Sequence, residues 1–205
     1  MAFDILSRRS KDREKYGDRL PPGQKVTDDW PTLTYGGTPR VSTADWKLRI
    51  FGLVEKEVEF NWQQFAALPT TKVHTDIHCV TTWSKMDTNF EGLSVLDLMT
   101  HVQLKPEATA VMAHCYGGYT TNLLLDDFLG PVGLRDQNLL AYTYEGQPLP
   151  SEHGGPCRLF VPHLYFWKSA KWLNALEFIP RDQPGFWERY GYHIRGDPFK
   201  EERYS

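Results

Sequence analysis

Sixteen glycines and fourteen prolines are spread through this chain of 205 residues, so its path must contain many turns and irregular connections. Proline fixes φ and removes a backbone donor, and glycine reaches conformations that other residues avoid, so both interrupt regular elements. What lies between them reads mostly as strands. In "WKLRIFGLV" (46–54) Trp46, Leu48 and Ile50 point one way and Lys47 and Arg49 the other, the alternation of a half-buried strand. "EVEF" (57–60) pairs with it after a turn at Glu55-Lys56. Asn61 caps a short helix in "NWQQFAALP" (61–69), with Trp62, Phe65 and Ala66 on one face and Pro69 at its end. "TKVHTDIHCV" (71–80) is β-branched and reads as a strand.

Further along, "LSVLDLMTHV" (93–102) reads as a helix opened by Ser94 with Asp97, with a stripe of Leu96, Met99 and Val102. "TAVMAHCYGGY" (109–119) is a strand running into a Gly-Gly turn, and "LLLDDFLG" (123–130) a short helix stopped by Gly130. "NLLAYTYEGQPL" (138–149) and "PCRLFVP" (156–162) are strands. "SAKWLNALEFI" (169–179) fits a helix or a strand equally well. The fold class is therefore α+β, with mixed or antiparallel sheets and short helices. The length suits one domain with arms: a charged N-terminal arm (1–29) expected to be solvated, a domain (30–180), and an aromatic C-terminal extension (181–205) expected to pack on it.

Charge and composition narrow the function. A net charge of −3 provides no field for nucleic acid. The basic cluster Arg8, Arg9, Lys11, Arg13 and Lys15 is interrupted by acids. No apolar stretch follows the charges of Met1–Leu20 or the paired arginines of "SRRS" (7–10), so neither a secretory nor a twin-arginine signal is expected. No run approaches the ~20 apolar residues of a membrane span. Three cysteines form no disulfide framework, and reduced thiols in a cytoplasm are the simplest reading.

The cysteine in "DIHCVTTWSK" (76–85) poses the central chemical question. His74, His78, Cys79, His114 and Cys115 are all possible zinc ligands. On a strand, however, 74, 76 and 78 face one way and Cys79 the other, which is awkward for a tetrahedral site using both His78 and Cys79. A nucleophilic thiolate would need a base such as His153 or His114. The third reading, a small buried hydrophobe, is the simplest on local grounds. Residues 145–172, "EGQPLPSEHGGPCRLFVPHLYFWKSAKW", add a second cluster. His153, Arg158, Lys168, Ser169 and Lys171, with loop N–H groups, can cradle a phosphate. A solvated basic loop is the alternative, but Trp167 and Trp172 interleave with the lysines and suit partial burial.

Three blocks, in order, resemble the molybdopterin-binding domain of the sulfite oxidase family. They are "WKLRIFGLVEKEVEFNWQQFAALP", "HCVTTWSKMDTNFEGLSVLDLM" and "GQPLPSEHGGPCRLFVPHLYFWKSAKWL". The resemblance implies a mononuclear molybdenum oxidoreductase using molybdenum-molybdopterin, with Cys79 as the protein thiolate on the metal. It implies that His153, Arg158, Ser169 and Lys171 hold the pterin and its phosphate, with Lys168 a further candidate. By position, Tyr35 and Gly36 in "LTYGGTP" (33–39) would also meet the cofactor, and His78 would sit near it.

Where arginines follow the cysteine in animal and plant sulfite oxidases, Val80-Thr81-Thr82-Trp83-Ser84 stands here. That ending is closer to bacterial methionine-sulfoxide reductase catalytic subunits, which carry an acid where this chain has Thr81. No haem motif C-x-x-C-H is present, and no room remains for an immunoglobulin-like dimerisation domain. The expectation is two-electron oxygen-atom transfer on a small substrate such as a sulfoxide or sulfite, with the uncharged Val80–Trp83 stretch favouring a neutral sulfoxide. Electrons would come from a separate electron-transfer protein or carrier. The alternatives are a non-catalytic or partner-dependent module of a larger redox assembly, with Phe186, Trp187, Tyr190 and Tyr192 as a docking surface, and a zinc hydrolase using His74, His78 and His114.

Overall fold

The structure, a computed structural model, describes residues 11–205. Two sheets carry the fold. One contains β1 (Lys25–Val26), β4 (Thr71–His78), β5 (Trp83–Ser94), β8 (Leu139–Tyr144), β9 (Gln147–Pro148) and β10 (Arg158–Phe160). The other runs in the order β3 (Val58–Asn61), β2 (Lys47–Gly52), β11 (Leu173–Ile179), β6 (Ala110–Cys115) and β7 (Thr120–Leu124). Both sheets are mixed: β1 is parallel to β5 and β11 is parallel to β2, while the other pairings are antiparallel. Helices are brief: α1 over residues 11–16, α2 (Trp62–Ala66), α3 (Val95–Met99) and α4 (Leu125–Leu129). The α+β class with mixed sheets and short helices is the observed one.

Alternation explains how one sheet serves two cores. Leu140 and Leu159 join Leu48, Ile50, Val111, Leu176 and Phe178 in the larger apolar cluster. Their strand neighbours Leu139, Ala141 and Phe160 face the opposite way, into a second cluster with Ile77, Phe90, Val80 and Cys79. Phe90 and Phe160 stack there with ring centroids 4.1 Å apart. Gly92 lets β5 and β8 approach: a Cβ at that position would lie 2.2 Å from the Leu140 carbonyl oxygen.

Several elements differ from the sequence reading. The helix expected over 93–102 is confined to Val95–Met99, because Leu93 and Ser94 finish β5 and pair with Leu140 and Leu139. Ser94 does cap it, accepting from the Asp97 N–H at 2.9 Å. Likewise Leu123 and Leu124 belong to β7, and α4 starts at Leu125. The undecided 169–179 segment resolves as β11, held between β2 and β6. The α2 cap is a full capping box, Asn61 with Gln64.

The described part of the N-terminal arm is largely exposed over residues 11–19 and docks on the domain from Leu20 onward. Leu20 and Gln24 are buried, β1 adds to the sheet beside Trp83 and Ser84, and the Arg19 guanidinium donates to Asp76 through Nε (3.0 Å) and an Nη (2.7 Å). Arg8, Arg9 and "SRRS" lie outside the described residues. At the other end, residues 181–205 lie against the domain. Arg195 donates to Asp127 of α4 at 2.9 and 3.0 Å, and Arg203 to the Val80 carbonyl at 2.6 Å.

Candidate cofactor site

A cavity of about 400 Å³ opens where seven segments meet: Trp30–Tyr35, the Cys79 turn, the Gly117-Gly118 turn, the turn at His153, the start of β10 at Arg158, the 166–172 loop and the 186–192 tail. This volume is within the ~300–1,000 Å³ of small-molecule sites. Strand β4 stops at His78, and the chain doubles back. Thr82 N–H donates to the Cys79 carbonyl (3.0 Å) and Cys79 N–H to the Trp83 carbonyl (2.8 Å). Thr82 takes a left-handed φ of 72° to allow it. Gln24 Nε2 donates to the Cys79 carbonyl at 2.9 Å, so arm and tail both fasten this turn.

Cys79 lines the cavity and is 7% exposed. Burial pushes its thiol pKa up, against the opposing pull of the Thr81 hydroxyl, whose oxygen is 3.2 Å from Sγ. His78 is not part of the cavity wall. It is buried, its Nδ1 is 2.8 Å from Ser84 Oγ, and desolvation pulls its pKa down to about 4, so the ring is neutral. Among the described residues Cys79 Sγ hydrogen-bonds to no imidazole: its side-chain partner is the Thr81 hydroxyl, and His153, the base the sequence offered, stands elsewhere in the same cavity wall. The zinc reading fares no better. His74 is paired with Asn89 on an exposed strand face, and His114 with Glu177 on the other sheet. Among the described residues no three His, Cys, Asp or Glu side chains cluster to hold a metal ion.

His153, Arg158, Ser169 and Lys171 are brought together in the cavity wall. A 3-10 turn, Ser151–His153, presents His153, and Gly154 at φ 106° turns the chain back. The His153 ring stacks on Trp30 at 3.8 Å. Burial first, then Arg158 and Lys171, lower its pKa to about 4, and its buried Nδ1 has no protein partner. Arg158, 1% exposed, opens β10. It donates to the carbonyls of His153 (2.7 Å) and Ser169, and its guanidinium lies 4.2 Å from the Phe166 ring centroid. Ser169 Oγ accepts from Val161 N–H at 2.9 Å, which leaves its own proton free to donate. Lys171 Nζ donates to Leu33 O, Thr34 Oγ1 and Glu152 O. Burial, and then repulsion from Arg158, lower its pKa to about 8.

Tyr35 stands at the mouth, 68% exposed, with its ring 4.9 Å from that of Phe186. Gly36 and Lys168 are not in the wall. Lys168 is fully buried, and its Nζ is occupied by Asn122 O (3.0 Å), Asn122 Oδ1 (2.8 Å), Ile194 O (2.6 Å) and Glu188 Oε1 (2.7 Å). It fixes the tail and stands outside the cavity that a phosphate would enter. Sequence reasoning missed Trp30, Gly117, Gly118 and Trp172 as wall residues, and Trp187 and Tyr192 as more than packing or docking residues. Their only sequence signals are the aromatic richness of the tail and the paired glycines, at φ 87° and 82°.

A buried thiol with no imidazole bonded to it, two cations and an orphaned imidazole nitrogen in one cavity suit a soft metal ion that arrives with an anionic organic ligand. The comparisons agree. The family model described as "Oxidoreductase molybdopterin binding domain" matches residues 35–187. The "Uncharacterized oxidoreductase YuiH" of Bacillus subtilis (strain 168) is 44% identical, over 91% of this chain and 92% of that protein. The "Protein-methionine-sulfoxide reductase catalytic subunit MsrP" of Gluconobacter oxydans (strain 621H) is 27% identical over 75% of this chain, which spans 54% of that relative. The solved sulfane dehydrogenase SoxCD from Paracoccus pantotrophus shares the fold. Its TM-score is 0.63 at 21% identity, over 76% of this chain and 42% of that one.

Proposed function

The chain belongs to the oxidoreductase molybdopterin-binding domain family, and on that premise we propose that Cys79 is the protein ligand to molybdenum in an enzyme that reduces a small neutral sulfoxide. The family makes it a molybdopterin-dependent oxidoreductase of the sulfite oxidase type; the ligand, substrate and direction are our reading. The observation that carries it is Cys79 itself, a thiol with a raised pKa in the cavity wall. A coordinated metal deprotonates such a thiol directly, so a neighbouring base is not needed. Bound there, the cofactor supplies a two-electron couple for exchange of an oxygen atom.

The protein's part is binding and orientation. The Cys79–Trp83 turn fixes the sulfur. Arg158 and Lys171 balance the negative charge of a pterin phosphate. His153, held neutral, keeps Nδ1 available for a polar edge of the ligand. Trp30, Trp83, Phe166 and Trp187 exclude water.

The wall also supports a neutral substrate. Among the described residues its only cationic side chains are Arg158 and Lys171, and in this reading the pterin phosphate takes both. A sulfite anion would be buried against aromatic faces without a free counter-charge. A sulfoxide gives up its oxygen as water on accepting two electrons and two protons. Its sulfur suits contact with the aromatic wall. The relative named as a methionine-sulfoxide reductase subunit supports the same substrate class.

Electrons would reach the site from a separate protein or carrier. No helix among the described residues is long and apolar enough to cross a membrane. Cytoplasmic residence remains part of the proposal, supported by three buried free thiols, and fractionation of the native host tests it.

Metal and pterin analysis of protein from a molybdate-replete host should find both. Absence of both sinks the reading. Cys79→Ser should abolish turnover while moving the unfolding free energy by no more than ~1–2 kcal/mol; an active variant contradicts the ligand role. Robust sulfite oxidation without sulfoxide reduction, assayed with artificial electron carriers, refutes the direction. No turnover by the metal-loaded protein with any carrier would favour a partner-dependent module.

A further inference from the structure

Thr81 Oγ1 lies 3.2 Å from Cys79 Sγ in the cavity wall. Between a free thiol and a hydroxyl either group can donate. A thiolate has no proton, so once the sulfur is deprotonated only Thr81 can donate. The hydroxyl is specific to this sequence.

The donor is held in place. The turn closes with Thr82 N–H on the Cys79 carbonyl, and Thr82 sits at φ 72°. Gln24 grips the Cys79 carbonyl and Arg203 the adjacent Val80 carbonyl. A β-branched residue on so fixed a backbone has few rotamers, which keeps the hydroxyl on the sulfur.

We propose that Thr81 is a positioning residue that raises the reduction potential of the metal by donating a hydrogen bond to the Cys79 thiolate. The proposal rests on Cys79 being the molybdenum ligand. A donor on a ligating sulfur withdraws electron density that the sulfur would otherwise give to the metal. The more electron-rich, reduced metal is then favoured, as hydrogen bonds to sulfur do at other metal centres. Thr81 thereby brings the site within reach of a weaker electron donor, without touching substrate.

The test uses metal-loaded wild type, Thr81→Val, which keeps the shape and loses the hydroxyl, and Thr81→Ser, which restores it. Potentials are read by redox titration followed by paramagnetic resonance of the one-electron-reduced metal, and sulfur coordination by X-ray absorption. Thr81→Val should shift the potential negative with metal and pterin content unchanged, and Thr81→Ser should return it to the wild-type value. If Thr81→Val does not load the metal, Thr81→Ala takes its place with the same expectation. An unmoved potential in the hydroxyl-less variant, or an equal shift in Thr81→Ser, overturns the proposal alone. If Cys79→Ser leaves the sulfur count at the metal unchanged, the ligand assignment fails and this proposal falls with it.

Discussion

Lys168→Met is the sharpest test of how the tail is fixed. The Lys168 ammonium and the Glu188 carboxylate are 2.7 Å apart, with side chains 0% and 2% exposed. Removing the cation leaves a buried carboxylate whose one remaining donor is Trp167 Nε1 at 2.8 Å, because Glu188 Oε2 has no partner. Breaking a buried pair from one side costs about 3–5 kcal/mol. Replacing both partners by apolar residues is far milder, since no charge is stranded. Lys168→Met should therefore lower the unfolding free energy of the cofactor-free protein by about 3–5 kcal/mol, read as a lower urea midpoint at unchanged m. The double variant Lys168→Met/Glu188→Leu should recover part of the loss. If instead Lys168→Met keeps its midpoint without cofactor and loses cofactor content, the lysine is a cofactor ligand, the further candidate that the sequence offered, and the clamp reasoning is refuted.

Lys171 gives a pH prediction. Its pKa, near 8 in the fold against an ordinary 10.5, reflects burial and Arg158, opposed by Glu152. Pyrophosphate binding to cofactor-free protein should weaken as pH rises through about 8, and Lys171→Arg should abolish the fall in calorimetric titrations. The unfolded chain keeps this proton to higher pH, so the lysine's contribution to stability rises from about pH 8 toward 10.5, a rise that Lys171→Met should remove from denaturant midpoints. Gly92→Ala should cost at least ~1–3 kcal/mol by forcing β5 from β8, whereas Gly37→Ala, with nothing within 4 Å of the new Cβ, should leave the thermal midpoint within a degree or two.

Local chemistry made the capped and alternating elements readable. Asn61 with Gln64, Ser94 with Asp97, and the Trp46–Ile50 alternation each act within a few residues. Strand β5 was not anticipated over 83–92, although Met86, Thr88 and Phe90 are buried while Asp87 and Asn89 are exposed; its many polar residues obscured that period of two. β11 could not be settled locally because its strand state comes from two neighbours far away in sequence, β2 and β6. At the site, His153, Arg158, Ser169 and Lys171 share one short stretch and were readable together. Lys168 shared the stretch but not the cavity, since its partners Asn122, Glu188 and Ile194 come from other segments. Trp30, Trp187 and Tyr192 reach the wall only through long-range packing.

Gln24 and Arg203 hold adjacent carbonyls of the Cys79 turn, and Arg203 also reaches the Pro22 carbonyl at 3.4 Å. The two flanks of the domain therefore share a knot at the Cys79 turn. Tension applied to either flank, by a fused partner or a docking protein, is delivered to the Cys79 turn as well as to the sheet that Arg19 grips at Asp76. Trimming either flank is accordingly an operation on the Cys79 turn and on the cavity that it lines.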